Sequence, residues 1–289
     1  MMTCYGYNIA FDSSIDNDKN TILIVEDDLL TLKNLDYKLE FENNQNRQIE
    51  FLSNFSFEEK KDSQSYYFHI LELFIFSWNL KENKITYKIL NKNNSNLLEY
   101  WVLHTVLPFF FSVKNTYYFL HAGAVEILDQ PVLFIADSYG GKSTLTDFFI
   151  KKSHTMISDD KVATFEKDNM IYSVSSYPYH RPYRNVEDLG IMIDNFSREI
   201  KPINTIFNLV KSEPNSEVKI EKTIGMEKFK VLRYATDIEL PLNKEKRFNF
   251  LAKIANEIDI YNITIPWDLN RLEEVYIHIL EFIKRKNFD

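Results

Sequence analysis

With 289 residues, the chain is long enough for one large domain or two modest ones, and its core needs no disulfide or metal staple. A net charge of -8 argues against a nucleic-acid binder, because phosphate neutralisation requires a basic face. The single cysteine, Cys4, excludes an intrachain disulfide and a cysteine-based zinc site, and it fits a reducing interior.

Residues 1–94 carry short strand-like runs between polar turns: "YGYNIAF", "NTILIV", "QIEFLSNFSF" and "NKITYKILN". No nucleophile, metal cluster or phosphate loop stands out there, so this segment is expected to be a β-rich N-terminal domain. Residues 95–289 form the expected second domain. Asn96–Phe111 has helical periodicity, with Leu98, Trp101, Val102, Thr105 and Val106 on one face and Pro108 ending or kinking the helix. The apolar run Leu97–Val113 is interrupted by Glu99, His104 and Pro108 and falls short of the roughly 20 residues of a spanning helix. It therefore reads as a buried helix, with no membrane as partner. Met1–Asp12 lacks a basic segment followed by an apolar one, so a cytoplasmic location is expected.

From Tyr117 the pattern becomes strand, turn, strand, "YYFLHAGAVEI" then "PVLFIA". A small glycine-containing loop follows, then a helix over Lys142–Lys152 with Leu145, Phe148 and Phe149 inward. The short strand "TMIS" ends on Asp159-Asp160. Downstream, "INTIFNLV" and "IDIYNITIPW" are expected strands, while "IGMEKFKVLRYAT" and "RFNFLAKIANEI" are expected helices. A terminal helix over Leu269–Lys286 opens on Asp268 as N-cap. Strand, loop, helix, strand and acidic pair, in that order, describe the nucleotide-binding half of an α/β domain.

The loop has the form A-x-x-x-x-G-K-S: Ala136, then Asp137, Ser138, Tyr139 and Gly140, then Gly141, Lys142 and Ser143, with Thr144 next. Phosphate loops work through backbone N–H groups at a helix N-terminus, so bulky residues crowd them and glycines are common. A lysine there supplies a mobile charge for the outer phosphates, and the next hydroxyl residue takes a place on magnesium. The strict pattern fails only at Ala136, a small residue. The tripeptide alone is equally a helix that begins Gly-Lys-Ser after an apolar strand; the flanking strand and helix favour a phosphate site.

Three further elements surround it. Asp159 and Asp160 supply one carboxylate for magnesium and one to accept a proton from an attacking hydroxyl; the bland reading is a solvated acidic turn. His121 precedes the small residues Ala122-Gly123-Ala124 and is a candidate for orienting a carboxylate or phosphoryl group. His69, His104, His154, His180 and His278 are assigned to packing. In "YPYHRPYR", Arg181 and Arg184 sit on a proline-broken loop that either carries a guanidinium to a phosphate or is solvated surface.

The segment "LHAGAVEI…PVLFIADSYGGKSTLTDFFIKKSHTMISDDKVA", residues 120–163, resembles the HPr serine kinase/phosphorylase superfamily, particularly its diverged HPr kinase-like members. Weaker resemblance runs on through "INTIFNLV" and "IYNITIPWDLNRLEEVYIHIL". The resemblance implies an α/β (α+β) fold: a phosphoenolpyruvate carboxykinase-like P-loop kinase domain after the smaller β-rich domain. It implies ATP and magnesium as cofactors, and transfer of the γ-phosphoryl group to a serine hydroxyl of a peptide, a protein or a small hydroxylated substrate. In that family's pattern Asp137–Ser143 and the Lys142 side chain hold the phosphates and Ser143 binds magnesium. Asp159 is the general base, Asp160 assists the metal and His121 supports the base. True HPr kinases are hexamers, so a homo-oligomer is an expectation of the resemblance.

This sequence departs from the pattern at Tyr139, where the family has glycine, and at Ser153, where it has the glycine before a histidine. "VEDLGIMI" keeps only the Leu-Gly-Ile of the phosphorylase signature, so phosphorylase activity is not carried over. Residues 1–94 do not resemble the N-terminal domain of the true HPr kinases, which turns the expectation from HPr itself toward peptide-tailoring relatives. The alternative is a non-catalytic nucleotide-binding regulatory module.

Overall fold

Aromatic and β-branched residues at alternate positions build the first part of the chain. In the strand Ser65–Ile70, Tyr66, Phe68 and Ile70 are buried while the residues between them are partly exposed, the period of a sheet with one face on a core. The computed structural model describes residues 2–11, 19–42, 47–58, 64–137, 139–182 and 187–286. By compactness the chain divides into two units: Met1–Tyr117 with Asn185–Leu189 and Leu240–Lys244, and Tyr118–Arg184 with Gly190–Glu239 and Glu245–Asp289.

The first unit holds strands β1 (Met2–Cys4), β2 (Tyr7–Ala10), β3 (Thr21–Glu26), β4 (Tyr37–Glu42), β5 (Gln48–Ser53), β6 (Ser65–Ile70), β7 (Phe74–Asn79) and β8 (Lys84–Ile89). They form one sheet in the order β1-β2-β3-β8-β7-β6-β5-β4. Helix α1 (Leu98–Trp101) continues through a π turn (Val102–Val106) into α2 (Leu107–Lys114). Pro108 does not break this helix; it follows directly on the π turn, where the backbone hydrogen-bond ladder is already shifted and a missing N–H is accommodated. The helix belongs to the first unit rather than opening the second. Its aromatics explain why: Phe109 lies 4.9 Å from Phe68, Phe110 lies 6.1 Å from Trp78, and Phe111 lies 5.8 Å from Tyr5. Edge-to-face pairs of this kind add to the area they bury.

The second unit begins with β9 (Tyr118–His121), β10 (Gly123–Ile127) and β11 (Gln130–Ile135), then α3 (Lys142–Lys151) and β12 (Met156–Ser158). "YYFLHAGAVEI" is not one strand but two, divided at Ala122 and committed to different sheets. Next come β13 (Lys161–Lys167), β14 (Met170–Val174), β15 (Tyr179–His180), β16 (Ile191–Met192), β17 (Lys201–Pro202), β18 (Thr205–Ser212) and β19 (Ile220–Lys222). Helices α4 (Met226–Tyr234) and α5 (Lys244–Glu257), strand β20 (Asp259–Pro266) and α6 (Leu272–Lys286) complete it. Asp268 caps the 3-10 turn that leads into α6, its Oδ1 accepting from the Asn270 N–H at 2.9 Å.

The central sheet runs β12-β10-β11-β18-β20-β19, and a second sheet runs β17-β14-β13-β9. β11, β18 and β20 are parallel, with α3 following β11. Alternation along β11 divides two cores. Leu133 and Ile135 pack with Leu232, Phe250 and Ile254 of α4 and α5, whereas Val132 and Phe134 pack with Leu145 and Phe149 of α3 and Ile279 of α6. The unit is thus mixed α/β. Among the described residues, no helix is long and apolar enough to cross a membrane.

Candidate active site

The loop after β11 closes by a turn in which the Gly140 N–H donates to the Asp137 carbonyl at 2.8 Å. A Cβ on Gly140 would stand 2.7 Å from Ala136 Cβ and 2.8 Å from the Asp137 oxygen, so only glycine fits. Ala136 itself is buried and fills the space under this turn. Gly141 caps α3 at φ +91, a conformation that favours glycine. Tyr139 adopts φ +60 with its side chain largely in solvent, so its bulk points away from the loop interior. Ser138 lies outside the described residues.

No side chain caps the start of α3. As at any helix N-terminus, the first-turn N–H groups at Lys142, Ser143 and Thr144 have no carbonyl acceptor within the helix, and the helix dipole adds positive potential there. Lys142 is buried, its ammonium donating to the Ala136 carbonyl at 2.9 Å, with the Asp137 carbonyl at 3.5 Å. Its charge is therefore held inside the loop. Ser143 is half-buried and Thr144 exposed.

Small residues bring the next elements close. A methyl group on Gly123 would fall on Thr146 Oγ1, so the missing side chain lets α3 lie against the start of β10. Gly123→Ala should cost about 1–3 kcal/mol by overpacking, and Thr146→Ala in the same chain should recover most of it. Urea unfolding of the single and double variants measures both; an unaffected single variant would rule out the close approach.

His121 ends β9. Its Nδ1 lies 3.3 Å from Asp160 Oδ1. Burial holds the imidazole's pKa below its ordinary value, and Asp160 pulls the other way. Asp160 also meets the Arg181 guanidinium, Nη2 to Oδ2 at 3.4 Å. Lys161 follows directly and pairs with Asp237; burial opposes its charge, but Asp237 and Asp160 raise its pKa on balance. Asp160 thus has a histidine, an arginine and a nearby lysine around it.

Asp159 stands in a different setting. It is 7% exposed, and its Oδ2 accepts the Arg181 backbone N–H at 2.8 Å. Its Oδ1 lies 3.0 Å from Nδ1 of His180, whose Nε2 lies 3.3 Å from Asp147 Oδ1 on α3. Neither imidazole contact is aligned as a hydrogen bond. Buried, His180 stands between Asp159 and Asp147 of α3. The sequence missed it because its two partners are 33 and 21 positions away on separate elements. Arg184 lies outside the described residues.

These groups gather at one edge. β12 is antiparallel to β10, as is β11, so both run in the same direction and end on the same side as the parallel β18 and β20. The loop, Asp159-Asp160 and the His121–Gly123 turn all lie there, outside the carboxyl ends of the strands where α/β sheets bind ligands. Among the described residues, no group of three or more His, Cys, Asp or Glu side chains is placed to hold a metal ion.

No family model matches the sequence. No curated protein matches it. Among solved structures, the HPr(Ser) kinase/phosphatase from Coxiella burnetii is similar over 59% of this chain and 92% of that chain, at 16% identity and a TM-score of 0.37. Similarity at that level carries no argument about chemistry, which rests on the side chains described above.

Proposed function

We propose that the second unit is an ATP- and magnesium-dependent serine kinase that transfers the γ-phosphoryl group to a serine hydroxyl of a peptide or protein. The observation that carries this reading is the meeting, at one sheet edge, of a tight glycine loop on an uncapped helix N-terminus with a carboxylate backed by histidine and arginine. The loop fits a phosphate: a Cβ at Gly140 would fill the turn, and Lys142 holds its charge on the loop. The Ser143 hydroxyl and the carboxylate of the acidic pair that does not take the proton suit magnesium, a hard cation that keeps waters and phosphate oxygens as its other ligands. When bound, magnesium neutralises charge on the phosphates.

In the transfer, backbone N–H groups at the start of α3 and Lys142 hold the phosphates, and Arg181 offsets developing charge. The acceptor hydroxyl oxygen forms its bond to the γ-phosphorus as the bond from that phosphorus to the β–γ bridging oxygen breaks, releasing ADP. The hydroxyl proton passes to a carboxylate. The family resemblance gives that role to Asp159. Exposure favours Asp160: both carboxylates have partners beside each oxygen, but Asp159 is buried while Asp160 is the more exposed of the pair and sits beside His121.

The test is incubation with γ-labelled ATP and a lysate, followed by identification of the labelled species. Label should appear on serine with the wild-type chain and fall at least 100-fold with Lys142→Ala, the scale of losing one preorganised charge contact. Nucleotide binding without any transfer would support the regulatory-module reading, which the burial of Lys142 against its own loop also suits. No nucleotide binding would end both readings.

A further inference from the structure

A second concavity flanks the loop on the side away from the carboxylates. Its volume is about 230 Å³, and it opens between Gly141 and Thr144 on one wall and Trp267 and Leu272 on the other, with Leu209 and Ile265 among its lining. The lining is apolar apart from Thr144 and Asp268, and the Asp268 Oδ1 is already engaged by the Asn270 N–H and side-chain amide at 2.9 and 3.0 Å. Trp267 is 42% exposed. It lies at the carboxyl end of β20, so its ring faces the same sheet edge as the phosphate loop. A Cβ placed on Gly141 would be 3.5 Å from Trp267 Cζ3, so the ring reaches the cap of α3. The Lys211 ammonium stands 4.0 Å from the ring centroid and steadies it by a cation–π contact.

Strand order gives this arrangement a direction. Across the sheet the order is β12-β10-β11-β18-β20, with the acidic pair after β12, the phosphate loop after β11 and Trp267 after β20. A phosphate chain lying on the central loop thus has carboxylates at one end and an apolar aromatic pocket at the other. The reacting phosphate belongs at the acidic end, which leaves the pocket for whatever the chain of phosphates is attached to.

We infer that this pocket binds the base of the nucleotide, with Trp267 as its stacking surface and Lys211 supporting the ring. The inference rests on reading the loop as a triphosphate site. Stacking on an aromatic face tolerates any base, and the lining offers little hydrogen-bonding capacity to select one. ATP and GTP should therefore bind within a few fold of each other.

The fluorescence of the intact chain tests it. Of the three tryptophans, Trp78 and Trp101 are buried in the first unit, so ligand-dependent quenching reports Trp267. ATP with magnesium should quench the emission, and inorganic triphosphate should bind without doing so. Trp267→Ala should weaken ATP about 5- to 150-fold, the span of about 1–3 kcal/mol per stacked base, and leave triphosphate affinity unchanged. Trp267→Phe should recover most of the ATP affinity. If ATP binds but Trp267→Ala is neutral toward it, the pocket assignment falls and the phosphate reading stands. If neither ATP nor triphosphate binds, the phosphate reading falls and takes the pocket with it. A Trp267→Ala chain that loses triphosphate as well as ATP would place the residue in the loop's architecture and overturn the base assignment.

Discussion

Asp160→Asn should slow phosphoryl transfer about 100- to 10,000-fold, the range lost when a positioned general base is removed, while ATP affinity changes little. The substitution keeps the side chain's size and removes its charge and its capacity to accept a proton. Asp159→Asn should behave differently. Its carboxylate accepts the Arg181 N–H and faces His180, both in a buried setting. An amide there keeps only one acceptor oxygen for the two contacts and loses the charge that strengthens them, a cost of about 1–3 kcal/mol in stability. Its effect on the rate should be smaller than that of Asp160→Asn. Rates under saturating ATP and urea midpoints for both variants decide the matter. If Asp159→Asn folds as stably as wild type and abolishes transfer while Asp160→Asn still turns over, the proton goes to Asp159 as the family resemblance implies.

Phe149→Ala should destabilise the second unit by about 3–5 kcal/mol, the largest stability loss expected from any residue near the site. Phe149 is fully buried under α3, with ring centroids 5.3 Å from Phe134, 5.0 Å from His154 and 4.9 Å from Tyr276. It joins α3 to β11 before the loop and to α6. A cavity there cannot close without moving α3, and with it the N–H groups proposed to hold the phosphates. Phe148 makes the control. Both phenylalanines are expected inward from the sequence, yet Phe148 is only half-buried, 5.7 Å from Tyr276. Phe148→Ala should cost clearly less. Equal urea midpoints for the two variants would show that α3 is not anchored through Phe149.

The loop was legible in the sequence because its chemistry is local. Gly140, Gly141, Lys142 and Ser143 are consecutive, and the backbone turn and helix start proposed to cradle phosphate involve the same few residues. Local rules also reach Asp268 as an N-cap and the unbroken apolar run of β11. They reach less far in the first unit. The strands β4, β6 and β7 are held by pairing across a sheet, where cross-strand neighbours count for more than intrinsic preference. A helix is expected over Asn96–Phe111 and stands at 98–114, running past Pro108, but its membership of the first unit is decided by rings on β6 and β7 and by Tyr5.

By itself, the sequence determined that strands and helices lie in the strongly periodic segments, and it brought Lys142, Asp159, Asp160 and His121 into one hypothesis. Tertiary structure alone decided how the two adjacent carboxylates divide, one enclosed by His180 and Arg181 and the other beside His121. It alone brought Trp267 to Gly141 across more than a hundred residues of chain. The reason is the same in both cases. Burial, partners and distance are set by which strands lie side by side, and strand order follows from the packing of the whole unit rather than from any one segment.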